Sequence, residues 1–171
     1  LDVELTQALA ASGQRTMTVA PEAGSVKMRN IINKGITEEH VFNAIELAAA
    51  AGMKNIKLYY MLGLPGEADS DIEEMIAMIG RVREKMDAAL NKGDLIISVN
   101  GFIPKPFTPF QWSPLCDVKT LKRRFKMLET AFKKAKHIQV QTESLKETVL
   151  QAVLARGDRR IGAALLEAFR R

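Results

Sequence analysis

Hydrophobic and polar positions alternate between two periods along the chain, and the changes of period mark its elements. Residues 2–12 carry a short helical pattern that ends at Gly13, and Thr16–Val19 is a short β-branched run. One or two helical turns are predicted from Ser25 to Ile32. Thr37 then opens a helix with Glu38 and Glu39 in its first turn, where the helix dipole favours acids. Val41, Ile45 and Ala48, with Phe42 and Ala49, recur at helical spacing until Gly52. Ile56–Leu62 is a nearly continuous apolar run, which predicts a strand covered on both faces. A helix follows, opened by a Ser70-x-x-Glu73 capping box and carrying Ile72, Met75, Ile76, Ile79, Val82, Met86 and Leu90 on one stripe. Leu95–Ile103 predicts another strand. A proline-rich loop leads to Asp117, which caps a long basic helix reaching about Lys136. His137–Gln141 alternates like an outer strand, and two short helices follow from about Ser144 and Asp158.

Strands separated by helices of ten or more residues imply right-handed crossovers and a parallel sheet. The fold class is therefore α/β. Three or four strands make either a small open sheet or half of a TIM-like (β/α) barrel, with helices added at the C-terminal end. A whole barrel takes about 250 residues, and the chain has 171. It opens on Leu1-Asp2-Val3 and stops at Arg170-Arg171 inside a helical pattern, which reads as a segment of a longer protein and favours the half-barrel. The division expected is residues 1–142 as the barrel portion and 143–171 as a helical extension.

Composition narrows the chemistry. The single Cys116 excludes a disulfide framework and any metal or iron–sulfur site held by several thiolates of this chain. Neither His40 nor His137 has a second His or a Cys at ligand spacing, so both are read as structural and no metal ligand is assigned. No nucleophile–His–acid triad is visible, and no catalytic residue is assigned. Without an apolar run of membrane-spanning length or a signal peptide, a cytoplasmic location without a membrane partner is expected. The net charge of +5 permits a polyanionic partner without requiring one.

Ligands of parallel sheets sit beyond the carboxyl ends of the strands. Three segments fall there: Ala20-Pro21-Glu22-Ala23-Gly24-Ser25, Gly63-Leu64-Pro65-Gly66-Glu67, and Ile103 through Phe110. Glu22 can accept hydrogen bonds from hydroxyls or an ammonium there, although taken alone it reads as a solvated turn acid. The Gly63–Gly66 turn opens backbone N–H groups to a phosphate, but lacks both the P-loop ending and a G-x-G-x-x-G pattern. Phe107, Phe110 and Trp112 suit either an apolar lid over the barrel mouth or a plug of the rim, and the plug is expected. The helix from Asp117 presents Lys119, Lys122, Arg123, Arg124, Lys126 and Lys133 beside an apolar stripe, a face that suits solvent, RNA or an acidic partner.

Taken in order, these segments resemble the radical S-adenosylmethionine (SAM) superfamily. The likeness is nearest to the uncharacterised iron–sulfur oxidoreductases similar to its B12-binding group, with this chain as the C-terminal half of the barrel. The likeness rests on Ala20–Ser25, the Ile32-Asn33-Lys34-Gly35-Ile36-Thr37 run, Gly63–Glu67, Pro104–Trp112 and the tail Leu154–Arg160. It implies that Glu22 holds the amino-acid or ribose part of SAM and that Lys34, twelve residues on, pairs with the SAM carboxylate. It implies further that Leu62, Gly63 and Pro65 pack the adenine, that Ile103 and Pro104 lie beside it, and that Ser25 is a weaker ribose contact. The implied cofactors are SAM and a 4Fe–4S cluster, whose three-cysteine loop is expected before Leu1; cobalamin stays open. The implied reaction of the intact protein is reductive cleavage of SAM to methionine and a 5′-deoxyadenosyl radical, with this segment alone inactive. The alternatives are a non-catalytic α/β module whose basic helix binds RNA or an acidic partner, and a small open α/β domain with another nucleotide. An incomplete barrel would also expose an edge at Thr16–Val19, through which the chain self-associates or which its first helix covers.

Overall fold

The computed structural model describes residues 2–89 and 93–171. Eleven elements alternate along them: α1 (Val3–Ala11), β1 (Thr16–Glu22), α2 (Val26–Ile31), α3 (Glu38–Ala50), β2 (Asn55–Leu62), α4 (Asp69–Ala89), β3 (Leu95–Gly101), α5 (Val118–Phe132), β4 (Ile138–Thr142), α6 (Leu145–Arg156) and α7 (Arg160–Arg170). The strands form one sheet in the order β1-β2-β3-β4, parallel at every pairing. The result is an α/β fold with the form of a partial (β/α) barrel followed by C-terminal helices.

Burial on β2 alternates strictly. Ile56, Leu58, Tyr60 and Leu62 are buried, whereas Lys57, Tyr59 and Met61 are half-buried. Leu95, Ile97 and Val99 continue the buried face across β3. They join Val41 and Ile45 of α3, Ile72, Met75, Ile79, Val82 and Met86 of α4, and Leu121, Phe125 and Leu128 of α5 in one core. The expectation that β2 is covered on both faces is therefore corrected. Helices α3, α4 and α5 all pack against the same face, and the opposite face carries Thr18, Lys57, Tyr59, Ser98 and Asn100. Leu90, expected on the α4 stripe, lies outside the described residues.

Local chemistry explains most helix starts. Asp2, Ser25, Thr37 and Asp117 each accept a hydrogen bond from a backbone N–H in the first turn of the helix they cap. His40 completes the cap of α3 by accepting from the Thr37 N–H at 3.2 Å. The expected Ser70–Glu73 capping box does not form. Helix α4 begins at Asp69, two residues before the start a Ser70 cap would give, and Asp71 accepts from the Ala68 N–H at 2.7 Å and from Ser25 Oγ at 2.6 Å. A shorter α5 also replaces the helix expected to Lys136, since it ends at Phe132.

Candidate functional site

Proline sets the geometry at the end of β1. Pro21 has no N–H to give the ladder, and the register of β1 on β2 shifts between Val19 and Glu22. Beyond the irregularity Glu22 takes a left-handed φ of 67°, a conformation that a non-glycine residue holds only when its surroundings enforce it. The enforcement is visible. Buried Arg29 donates from Nη1 to the carbonyls of Ala23 and Gly24 at 3.2 and 2.8 Å, and Gly24 lies against α4 so closely that a Cβ would meet Asp71 O at 2.8 Å.

The chain then turns through α2 and reverses at Asn33, also left-handed with φ 54°, whose neighbour Lys34 donates its N–H to Arg29 O at 2.8 Å. This reversal returns Lys34 to the strand end. Its Nζ lies 3.4 Å from Glu22 Oε1, with both side chains about two-thirds to three-quarters buried at 32% and 27% exposure. The acid and base twelve positions apart are thus neighbours.

Glu22 also lines a cavity of about 410 Å³ at the carboxyl ends of β1, β2 and β3. Ile103 shares that lining with Tyr59, Met61, Asn100, Lys105, Glu143 and Gln151. Of the sequence-predicted residues, only Glu22 and Ile103 border this cavity, and Lys34 is linked to it through Glu22. The others have different surroundings. Ser25 is fully buried, capping α2 and donating to Asp71. Leu62 points into the helical core. Pro104 is buried and Pro65 half-buried, and neither borders the cavity. Gly63, with φ 89°, gives its N–H to Glu67 Oε2 at 2.6 Å, so that donor is already engaged rather than open to a phosphate.

Glu67 belongs to a buried charge cluster behind the rim. Arg124 of α5 donates to Glu67 Oε2 and to Glu67 O, both at 2.7 Å, and to Asp69 Oδ1 at 3.3 Å. The Glu67 and Arg124 side chains are only 2% and 8% exposed. Burial pushes the Glu67 carboxyl up to about 7, against the downward pull of the Gly63 N–H and the Arg124 guanidinium. Arg123 pairs with Asp69. Two cations of the basic helix are therefore committed to structure, which reduces the face left for RNA or an acidic partner.

The proline-rich loop departs from expectation as well. Phe107 and Trp112 are 97% and 86% exposed and do not plug the rim; only Phe110 turns inward, meeting Phe102 edge to face at 5.7 Å. Tyr59, Asn100, Lys105, Glu143 and Gln151 were not singled out from the sequence. For Tyr59 and Asn100 the signal was present, as positions on the outward phase of β2 and β3. Glu143 and Gln151 meet only because α6 folds back, which a spacing of eight residues does not disclose.

Among the described residues no group of three or more His, Cys, Asp or Glu side chains is arranged to hold a metal ion. A 4Fe–4S cluster takes several thiolates, and the single Cys116 is packed against Gly63, so the residues of this chain do not fit that group. No helix among the described residues is long and apolar enough to cross a membrane.

Residues 1–79 match the family model of the Radical SAM superfamily. The chain is also 40% identical over 151 residues to an uncharacterized protein of Methanocaldococcus jannaschii, across 88% of this chain and 32% of that protein. It thus spans about a third of the length of the curated relative that it matches. The family match lies over residues 1–79, which are the N-terminal portion of this chain. This corrects the reading of the chain as the C-terminal half of the barrel. The matching stretch holds α1, β1, α2, α3, β2 and the first turns of α4, so the shared pattern resides in the first helix and the first two strand–loop–helix units.

Proposed function

We propose that this chain binds SAM at the carboxyl ends of its strands and serves as the SAM-binding portion of a radical SAM enzyme. The observation that carries the reading is the Glu22–Lys34 pair, held at 3.4 Å beside the 410 Å³ cavity and inside the residues that match the family. Two opposite charges at that separation, each partly exposed, exchange partners without leaving a net charge behind. The Glu22 carboxylate takes the ammonium of the methionine moiety, and the Lys34 ammonium takes its carboxylate. The strained φ at Glu22 supports the same reading, because a left-handed glutamate fixed by Arg29 and Gly24 costs stability that a purely structural turn need not spend. Ile103 supplies apolar surface at the adenosine end.

The whole protein's reaction, in this proposal, is SAM cleavage to the 5′-deoxyadenosyl radical. The groups that this chain contributes bind and orient SAM. Electron delivery requires a cluster that the chain's residues do not fit.

Calorimetric titration with SAM tests the assignment. The 171-residue chain binds SAM, and Glu22→Ala and Lys34→Ala each weaken binding by roughly tenfold or more, the size of one charge-assisted hydrogen bond. Equal affinities for the three proteins, or no binding to any, contradict it.

A further inference from the structure

The cavity beside Glu22 has a second acid, Glu143, whose charge no cation among the described residues neutralises. Glu143 stands one residue beyond β4, anchored by its N–H to Val99 O at 3.1 Å. Its carboxylate accepts from Gln151 Nε2 at 2.5 Å and from Thr148 Oγ1 at 3.4 Å. Both donors are neutral, and Thr148 is fully buried. No cation of the described residues pairs with Glu143, and no acid pairs with Lys105, which borders the same cavity from the loop after β3.

The two walls of the cavity therefore differ. On the β1 side Glu22 and Lys34 cancel each other. On the β3–β4 side one half-buried carboxylate and one ammonium each lack a counter-charge. The carboxylate is also oriented by Gln151 Nε2 and by the backbone anchor on Val99, as a binding group must be and a solvated surface acid need not be. Asn100, exposed near the end of β3, adds an amide to the same lining. Tyr59, Met61 and Phe102 give apolar surface to the remainder.

We propose that this wall is a substrate subsite for an amino-acid-type zwitterion, with the ligand's ammonium at Glu143 and its carboxylate at Lys105. The proposal rests on the SAM reading only in calling this ligand the substrate; the binding itself stands on Glu143, Lys105 and the cavity.

The test compares three probes on the 171-residue chain by NMR titration: L-leucine, L-leucinamide, which lacks the carboxylate, and N-acetyl-L-leucine, which lacks the ammonium. Leucine binds roughly tenfold or more tightly than either blocked form, as expected for the loss of one charged hydrogen bond. Glu143→Gln removes the preference over N-acetyl-leucine and keeps the preference over leucinamide. Lys105→Gln does the reverse. An unchanged amide spectrum outside the cavity shows that each variant is folded. The proposal is overturned if leucine binds no tighter than its blocked forms, or if both preferences survive both substitutions. SAM titrated into the same samples separates the two readings, because Glu22→Ala weakens SAM and spares leucine. If SAM fails to bind while leucine follows this pattern, the SAM assignment falls and the zwitterion subsite stands.

Discussion

A glutamate enclosed at 2% side-chain exposure behind the ligand rim is a residue whose protonation affects the whole fold. Glu67 has its carboxyl raised to about 7 in the folded chain, chiefly by burial, and returns to 4.5 when unfolded. Between those values the folded state binds the extra proton. Its stabilising contribution is complete below about 4.5 and is lost as pH rises through about 7. Urea unfolding at pH 5 and pH 8 is expected to show wild type losing stability across the interval relative to Glu67→Gln; parallel changes in the two would contradict the assignment. Removing the carboxylate altogether with Glu67→Ala leaves buried Arg124 without its main partner and is expected to cost about 3 kcal/mol in the same assay. None of this was legible in the sequence, where Glu67 read as one more residue of a rim motif. The difference comes from Arg124, 57 positions away, whose membership of a basic helix disguised its inward aim. Glu22 stood out at a strand end and Lys34 entered through the family resemblance; the short α2 between them and the reversal at Asn33 make them neighbours.

At the scale of elements, period and caps located most of them and failed where a tertiary contact overrode local preference. Helix α4 is the clearest instance. Ser70 and Glu73 have the spacing of a capping box, yet Asp71 takes the capping role because Ser25 and Lys27 converge on the same carboxylate, at 2.6 and 2.7 Å. Although burial works against its charge, hydrogen bonds from Lys27, Ser25 and Ala68 hold the Asp71 carboxyl below its usual range. That junction fastens the loop after β1 to α4, and Gly24 is its tightest point. Gly24→Ala would drive a methyl group into Met75 and the Asp71 carbonyl, backbone that has no room to yield. Overpacking of this kind is expected to lower stability by about 2 kcal/mol, read as a lower thermal midpoint. The SAM affinity is expected to fall with it, because the loop carries Glu22. A midpoint equal to wild type would show that the loop is not fastened there.

For the whole molecule, the consequential feature is a sheet with helices on one face and a polar face left open. The apolar run of β2 suggested cover on both sides, and sequence cannot distinguish such a strand from one whose second face holds Lys57, Tyr59 and Met61 half-exposed. Parallel direction, by contrast, followed from helices of ten or more residues between strands, whereas the strand order came from the structure. The single cysteine sets a further boundary on what the chain does alone. Anaerobic incubation with iron and sulfide is expected to leave it without cluster absorbance, and stoichiometric iron–sulfur binding would contradict that account. The central claim is the location of SAM. Backbone amide shifts recorded by NMR during SAM titration are expected to concentrate at Glu22, Ala23, Lys34 and Asn100–Ile103, with α7 unmoved. Shifts centred instead on the basic surface of α5, or none at saturating SAM, would contradict it.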